Sequence, residues 1–269
     1  MMRIIIPTRG RTNKQRTLSL LPRELRKRTM VVCPEQEVRR LSCLDDDIEV
    51  VPQPDANMRI AAKREWIIQY CLDRGDDKVL MLDDDLSFAT RISADGTDLR
   101  KIRGKALIPE FARLEEKLSP EFAHVGFAQR QGNNHEEAGW KIPGKMICAL
   151  GYYLPVVTKE CRWDLVEFRE DYSVSLQLLL KGYPNAVWTG TVVDQKTNAP
   201  GGCSTYRTVE MSDAECEKLR TLFPGYVSIR HRDYTTSVPR KEVEVQWKKA
   251  LEDGQRNRCL GRVRINRDC

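Results

Sequence analysis

Nowhere in the 269 residues do eighteen apolar residues run together, so no segment is a candidate for a membrane-spanning helix. No secretory leader is expected either. Met1-Met2-Arg3-Ile4-Ile5-Ile6-Pro7 reaches charge and proline before an apolar leader core can form. We therefore expect a soluble, cytoplasmic protein that does not touch membrane. The nine cysteines form no C-x-x-C pair and are odd in number, which excludes a disulfide framework and a zinc ribbon. Reduced, mostly buried thiols are expected instead. Internal repeats and low-complexity segments are also lacking. With 41% hydrophobic residues, the chain has enough core for one large α/β domain or two small ones, so a disordered or fibrous chain is excluded.

Charge of both signs is abundant, and its distribution is uneven. Forty-five Lys and Arg stand against 39 Asp and Glu, a formal charge of +6. Arg9, Arg11, Lys14 and Arg16 open the chain and Arg256, Arg258, Arg262, Arg264 and Arg267 close it, while three acids crowd into Asp83-Asp84-Asp85. A negative spot between basic flanks suits a metal and an anionic ligand, and the excess of cations is compatible with a polyanionic partner.

Residues 3–7, 30–33, 48–51 and 79–82 are short β-branched apolar runs, each followed by turn or charged residues, and read as buried strands. Between the last two, residues 56–72 place Ile60, Ile67, Ile68, Cys71 and Leu72 at helical spacing, with Asn57 as N-cap and Gly75 past the end. The pattern predicts a parallel, doubly wound half-domain. Further on we expect a helix over 108–118, a strand over 123–128, a polar loop over 129–144 and a long extended stretch over 146–157. A helix over 170–181 and a strand over 187–193 follow, then a loop over 198–202. A helix capped by Ser212 with Glu215 in a capping box comes next. The basic tail from about Ser228 shows one strand, 243–247.

The strongest chemical signal is Val79-Leu80-Met81-Leu82-Asp83-Asp84-Asp85. Four apolar residues running into three carboxylates put those acids at the carboxyl end of a buried strand, where open α/β sheets bind ligands. Adjacent acids repel unless a cation or basic groups neutralise them, and a few hard oxygens suit Mg²⁺ or Mn²⁺. The competing reading is a solvated acidic loop. Asp45-Asp46-Asp47, which follows no apolar strand, is such a loop in the same chain. Pro7-Thr8-Arg9-Gly10-Arg11, with Lys14, brings hydroxyl, guanidinium and backbone groups to the end of the first strand, as a nucleotide site or as an ordinary exposed loop. Arg59, Lys63 and Arg64 fall opposite the apolar stripe of their helix, and read equally as phosphate ligands or as solvated surface. Glu170-Asp171 opens a helix. The pair either complements its dipole or supplies a carboxylate that accepts a proton from an attacking hydroxyl.

Taken in order, these motifs resemble the GT-A glycosyltransferases, which use nucleotide-sugar donors: a first strand ending in Pro7-Thr8-Arg9, a helix carrying Arg59, Lys63 and Arg64, an apolar strand ending in a D-x-D motif at Asp83-Asp84-Asp85, and a helix opened by Glu170-Asp171. The resemblance implies a Rossmann-like doubly wound mixed sheet. It implies that Asp83 and Asp85 hold Mn²⁺ or Mg²⁺ with the donor diphosphate, that Asp84 contacts the ribose or sugar, and that Asp171 is the base, with inversion at the sugar. Blocks 198–207, 223–227 and 245–249 resemble the C-terminal section of the phage-encoded glycosyltransferases associated with TET/JBP oxygenases, relatives of the base J glucosyltransferase. That narrower likeness implies UDP-glucose as donor, 5-hydroxymethylcytosine or 5-hydroxymethyluracil in DNA as acceptor, and the host cytoplasm as location. Trp140, Tyr152, Tyr153 and Tyr206 are then candidates to stack on a base, and Gly201, Gly202, Arg207, Lys248 and Lys249 to face the DNA. Core packing is the competing fate of the aromatics. A catalytic domain over 1–227, with a nucleotide half 1–90 and an acceptor half 91–227, and a basic extension over 228–269 complete the expectation. His231, set between Arg230 and Arg232, is a poor metal ligand, and neither His135 nor Asp194 is better supported.

Two other readings stand. A nucleotidyltransferase shares the doubly wound sheet and metal-binding acids, but its G-x-x-x-R-M-like first loop is absent and Glu170-Asp171 would lack a role. A non-enzymatic DNA-binding module explains the basic ends, but leaves three carboxylates at a strand end where they would repel phosphate.

Overall fold

The computed structural model describes residues 1–93, 95–131, 136–195, 201–232 and 240–260. In chain order the first elements are β1 (Arg3–Pro7), the short helices α1 (Arg16–Leu20) and α2 (Arg23–Arg26), β2 (Thr29–Cys33), α3 (Val38–Ser42), β3 (Glu49–Pro52), α4 (Ile60–Asp73) and β4 (Lys78–Leu82). There follow β5 (Ser87–Arg91), β6 (Leu99–Ile102), α5 (Ile108–Lys117), β7 (His124–Gln129), β8 (Trp140–Lys141), β9 (Ala149–Tyr153) and α6 (Leu154–Glu160). The chain continues with α7 (Glu170–Leu180), β10 (Asn185–Asp194), α8 (Val209–Leu222), β11 (Val227–Arg232), β12 (Arg240–Val245) and α9 (Trp247–Cys259).

One large mixed sheet runs β3-β2-β1-β4-β9-β7-β10-β5-β6, with β8 paired to β10 beside that path. Strands β3, β2, β1 and β4 are parallel, with Ile5 opposite Met30 on one side and Met81 on the other. Strand β9 is antiparallel to both of its neighbours, β4 and β7. Ile4, Ile5 and Ile6 are all fully buried, because helices cover both faces of this part of the sheet, and that is why the strand reads as an unbroken apolar run. Period-two alternation divides the run. Ile4 and Ile6 join Leu18, Leu21, Phe88, Phe111 and Phe127 on one face, while Ile5 joins Ile67, Ile68, Val174 and Leu178 on the other. The chain leaves β1 toward β2 and β3 and returns on the other side as β4. This reversal opens a crevice at the carboxyl ends of β1 and β4. Among the described residues no helix is long and apolar enough to cross a membrane.

Several elements differ from the expectation. The stretch over 146–157 is not one extended run: it is strand only through Tyr153 and then turns into α6, whose first turn contains Pro155. A proline that has no N–H to give a sheet is tolerated in the first turn of a helix. Asn57 does not cap α4. Its backbone N–H donates to Asp55 Oδ1 at 2.8 Å in a turn, and the helix begins three residues later. Lys63 and Arg64 are not on a solvated face: both are buried, alongside Ala61, Ile67, Ile68 and Cys71. The helix lies over the strand ends, where these cations meet acids and carbonyls.

Ser212 is no cap either. Helix α8 starts at Val209, and Thr208 Oγ1 accepts from the Met211 N–H at 3.2 Å. Thr208→Ala is therefore expected to lower unfolding free energy by about 1 kcal/mol, and Ser212→Ala to change it little, as urea midpoints would show. The expected strand over 243–247 ends at Val245, and Trp247 opens α9, a helix that the pattern did not announce because its buried face is only Ala250, Leu251 and Gly254. These pack with Leu176, Leu179, Leu219 and Phe223, so that α9 backs α7. Asn133, Asn134, His135, Asn198, Ala199, Pro200, Arg262, Arg264 and Arg267 lie outside the described residues.

Tyr152 is fully buried and stacks on His124 at 4.6 Å between ring centroids, so it belongs to the core and not to an acceptor surface. The His124 ring lies with Nδ1 2.9 Å from the Gly151 carbonyl oxygen and Nε2 without a partner, and burial pulls its pKa down to about 4. The folded state thus resists a proton that the unfolded chain accepts near pH 6.5. Stability from this group is lost as pH falls from about 6.5 toward 4, by about 2 kcal/mol at pH 5 relative to pH 7.5. His124→Gln is expected to flatten that part of the pH profile, read from urea midpoints at the two pH values.

Candidate functional site

The crevice is built from strand ends and held by an internal network. Thr8, just past β1, donates its hydroxyl to Asp84 Oδ2, and Gln15 Nε2 donates to Thr8 Oγ1 at 2.9 Å. Arg11 pairs with Asp84 Oδ1 and reaches Asp85 Oδ2 at 3.0 Å. Asp84 is 3% exposed and spends both carboxylate oxygens on Thr8 and Arg11, so it braces the first loop against β4. The expectation was that Asp84 contacts the donor's ribose or sugar; here its oxygens meet the protein's own groups.

Lys63 and Arg64 enter from α4. The Lys63 ammonium donates to the Thr8 carbonyl at 2.9 Å, and burial lowers its pKa to about 8. Arg64 bridges two elements, with one nitrogen 3.3 Å from Asp83 Oδ1 and another 2.6 Å from Glu170 Oε1. Burial works against its charge, but Glu170 and Asp83 outweigh burial and its pKa rises. Burial pushes Asp83 up to about 6 against the pull of Arg64, with Asp85 and Asp84 adding to the rise. Burial likewise raises Asp85, and Arg11 opposes it.

Helix α7 presents Glu170 and Asp171 in its first turn, after Arg169 in a left-handed conformation with φ of 66°. Glu215 on α8 accepts from the backbone N–H of Glu167 at 2.7 Å and so ties down the segment leading into α7. Glu170 is 5% exposed and committed to Arg64, and burial pushes its carboxyl up to about 7. Asp171 is half-buried, and its one hydrogen bond among the described residues comes from the Tyr172 N–H at 2.8 Å. Burial raises its carboxyl, with Arg64 opposing. A carboxylate with a raised pKa and an uncommitted oxygen can take a proton from an incoming hydroxyl.

Sequence reasoning missed three contributors. The backbone oxygen of Cys148, a residue with φ of 69°, accepts from the Asp83 N–H at 2.9 Å. Thr17 Oγ1 donates to the Asp83 carbonyl and accepts from the Leu86 N–H, which clamps the turn that carries the acids. The terminal amide of Gln195, just past β10, stands 3.2 Å from Asp83 Oδ2 and 3.2 Å from Asp85 Oδ1 when its nitrogen faces them. None of these residues belongs to a motif, and a lone Cys, Thr or Gln carries no sequence signal.

The remaining expected residues lie outside this network. Pro7 and Arg9 are half-buried and Lys14 is exposed. Gly202 N–H donates to the Arg9 carbonyl at 2.8 Å, closing the far loop onto the first one. Gly201 has φ of 97°, and a Cβ there would lie 2.7 Å from Arg11 Cγ, so only glycine lets Arg11 pass to the acids. Tyr206 stacks on Phe168 with centroids 5.8 Å apart, and Arg9 and Arg59 lie over its ring at 5.6 and 6.0 Å. Arg59 also pairs with Glu167, and Arg207 lies over Phe168. Trp140 packs on Trp188, away from these groups, and Tyr153 is half-buried against the core. Lys248 and Lys249 are exposed on α9, where Lys249 pairs with Asp253. His231 is exposed on β11, opposite Lys241. The comparison triplet at 45–47 is answered by arginines, Asp45 by Arg26 and Asp47 by Arg23, on the surface near α2.

A family profile described as TET-associated glycosyltransferase matches residues 2–202. The chain belongs to this family. It is a glycosyltransferase, and its match spans every acid and cation of the crevice. A relative from Enterobacteria phage T6, "Beta-glucosyl-HMC-alpha-glucosyl-transferase", is 23% identical over 240 residues, covering 83% of this chain and 82% of the relative. Among solved structures, A197 from STIV is 13% identical with a TM-score of 0.41, covering 74% of this chain and 87% of that one. CMP:2-keto-3-deoxy-manno-octonic acid synthetase is 11% identical with a TM-score of 0.43, covering 82% and 97%.

Proposed function

We propose that the enzyme moves a glucosyl group from UDP-glucose to the hydroxymethyl oxygen of a 5-hydroxymethylpyrimidine, 5-hydroxymethylcytosine or 5-hydroxymethyluracil, in DNA, with a divalent cation and with inversion. The observation that carries this reading is the Arg64 bridge, which ties the acid at the end of β4 to the helix that presents Asp171. Donor-side acids and a proton acceptor thereby face one crevice. Asp83 and Asp85 stand side by side at the end of β4, each with one oxygen committed to a guanidinium, Asp83 to Arg64 and Asp85 to Arg11. Asp83 and Asp85 offer hard oxygens suited to Mn²⁺ or Mg²⁺. Once bound, such a cation offsets the charge that develops on the leaving diphosphate.

The protein's own groups do the rest. Asp171 takes the hydroxymethyl proton as that oxygen bonds to the sugar's anomeric carbon, and the bond from that carbon to the diphosphate oxygen breaks, its electron pair leaving with UDP. Arg9 and Arg11 line the diphosphate side. Tyr206, half-buried on Phe168 and beside Arg9 and Arg59, is the aromatic available to a base, reached in the major groove or by flipping the nucleotide. Exposed cations on α9 and the β11–β12 hairpin would replace counterions on the DNA backbone.

The experiment is incubation of the enzyme with a panel of nucleotide sugars and unmodified, hydroxymethylated or β-glucosylated DNA, following nucleoside diphosphate release. Release only with hydroxymethylated DNA is the expected result, and binding to that DNA should fall steeply between 50 and 200 mM salt, values that bracket physiological strength. Preference for a nucleoside, protein or lipid acceptor overturns the DNA assignment. The name of the T6 relative favours a second reading, in which the acceptor is a sugar already on hydroxymethylcytosine, and the β-glucosylated arm reads that directly. An α-linked product from UDP-glucose, whose own linkage is α, overturns inversion.

A further inference from the structure

We infer that Gln195 supplies the third protein oxygen to the cation at Asp83 and Asp85, an inference that rests on the metal-dependent reading above. Among the described residues no three His, Cys, Asp or Glu side chains converge to hold a metal, so the acids alone provide two ligands at most in this crevice. His231 stands apart on the exposed hairpin. Each of the two acids is divided in its use. Asp83 gives Oδ1 to Arg64 and Asp85 gives Oδ2 to Arg11, and these guanidiniums turn the opposite oxygens, Asp83 Oδ2 and Asp85 Oδ1, toward one point.

The Gln195 amide stands at that point, with its end group 3.2 Å from both oxygens. With nitrogen inward, it cross-links the two acids through two hydrogen bonds. With oxygen inward, three oxygens face one another at the spacing an octahedral cation imposes: ligands about 2.1 Å from Mg²⁺ sit about 3.0 Å from their neighbours. One rotation about the amide bond to the side chain exchanges the two arrangements, so the same residue holds the acids together without a cation and joins them in ligating one. Position favours this role as well. Gln195 follows β10 directly, and β10 runs antiparallel to β5, which starts only two residues after Asp85, with Asp194 opposite Ser87. Sheet register, not loop chance, brings the amide to the acids.

The test is titration of Mn²⁺ alone into metal-free protein, with free Mn²⁺ read by electron paramagnetic resonance, for the wild-type enzyme, Gln195→Leu and Gln195→Glu. Melting curves in EDTA establish that each variant is folded. A lost ligand should raise the Mn²⁺ Kd about tenfold or more in Gln195→Leu. Gln195→Glu should lower Kd, since a third charged oxygen strengthens a hard-cation site, while lowering the melting temperature in EDTA because three carboxylates then face one another. Unchanged affinity in Gln195→Leu, or weakening in Gln195→Glu, overturns the inference and leaves the metal reading in place. If Gln195→Leu does not fold, the direction of the Gln195→Glu change decides alone. Absence of Mn²⁺ binding by the wild-type enzyme, with and without UDP, would overturn the metal reading itself, and this inference with it.

Discussion

Asp171→Asn is expected to lower kcat by about 10²–10⁴-fold while leaving UDP-glucose affinity nearly unchanged, because an amide keeps the shape of the side chain and cannot take the acceptor proton. Its surroundings make the variant a clean one. The one hydrogen bond Asp171 receives is from the adjacent Tyr172 N–H, which an Asn oxygen can still accept. Glu170→Gln should behave differently. It leaves Arg64, itself only 5% exposed, with a single carboxylate partner, and removing one side of a buried pair typically costs about 3–5 kcal/mol. The melting temperature should therefore fall in Glu170→Gln and hold in Asp171→Asn, while turnover falls further in Asp171→Asn. Paired measurements of turnover, donor affinity and melting separate the roles. If Glu170→Gln is the folded but inactive variant, the base is one residue earlier, and if both turn over normally the mechanism is wrong.

Asp85→Ala should reduce transfer by orders of magnitude, as should EDTA with the unaltered enzyme. Charge stabilisation of a leaving diphosphate is worth several kcal/mol, and about 1.4 kcal/mol is a factor of ten in rate. The fold should survive. Burial pushes the Asp85 carboxyl up, so its ionised form is under strain from its surroundings, and Arg11 retains Asp84 as a partner when Asp85 is gone. Activity restored to EDTA-treated wild-type enzyme by Mn²⁺, but not to Asp85→Ala, is the result that supports the assignment. Full activity in EDTA would sink it.

The parallel half of the sheet was readable because its strands are covered on both sides, which leaves continuous apolar runs that no other arrangement explains as well. The acids at 83–85 were readable for the same reason: they follow such a run. Lys63 and Arg64 were not. A helical pattern classes charged residues as outward, and only the fold shows that this face of α4 meets Asp83, Glu170 and the Thr8 carbonyl. Asp84 looked like its two neighbours, although its oxygens are spent on Thr8 and Arg11. Helix α9 escaped notice because a helix packed through one alanine, one leucine and one glycine needs few large apolar residues. Thr208 was not read as the cap because Met211 stands three residues after it, whereas Glu215 stands three after Ser212; the helix nonetheless starts at Val209.

The contact between α9 and α7 has a consequence for how such an enzyme could change its target. A Cβ on Gly254 would stand 2.0 Å from the Leu179 carbonyl oxygen, so α9 lies directly against the backbone of the helix whose other end carries Asp171. The inner side of the C-terminal segment is thereby bound to the position of α7. Its outer side, with Lys248, Lys249 and Arg256, is under no such constraint. An altered acceptor preference could be written onto that outer surface, residue by residue, without disturbing α7, whereas a single methyl group at Gly254 would shift it.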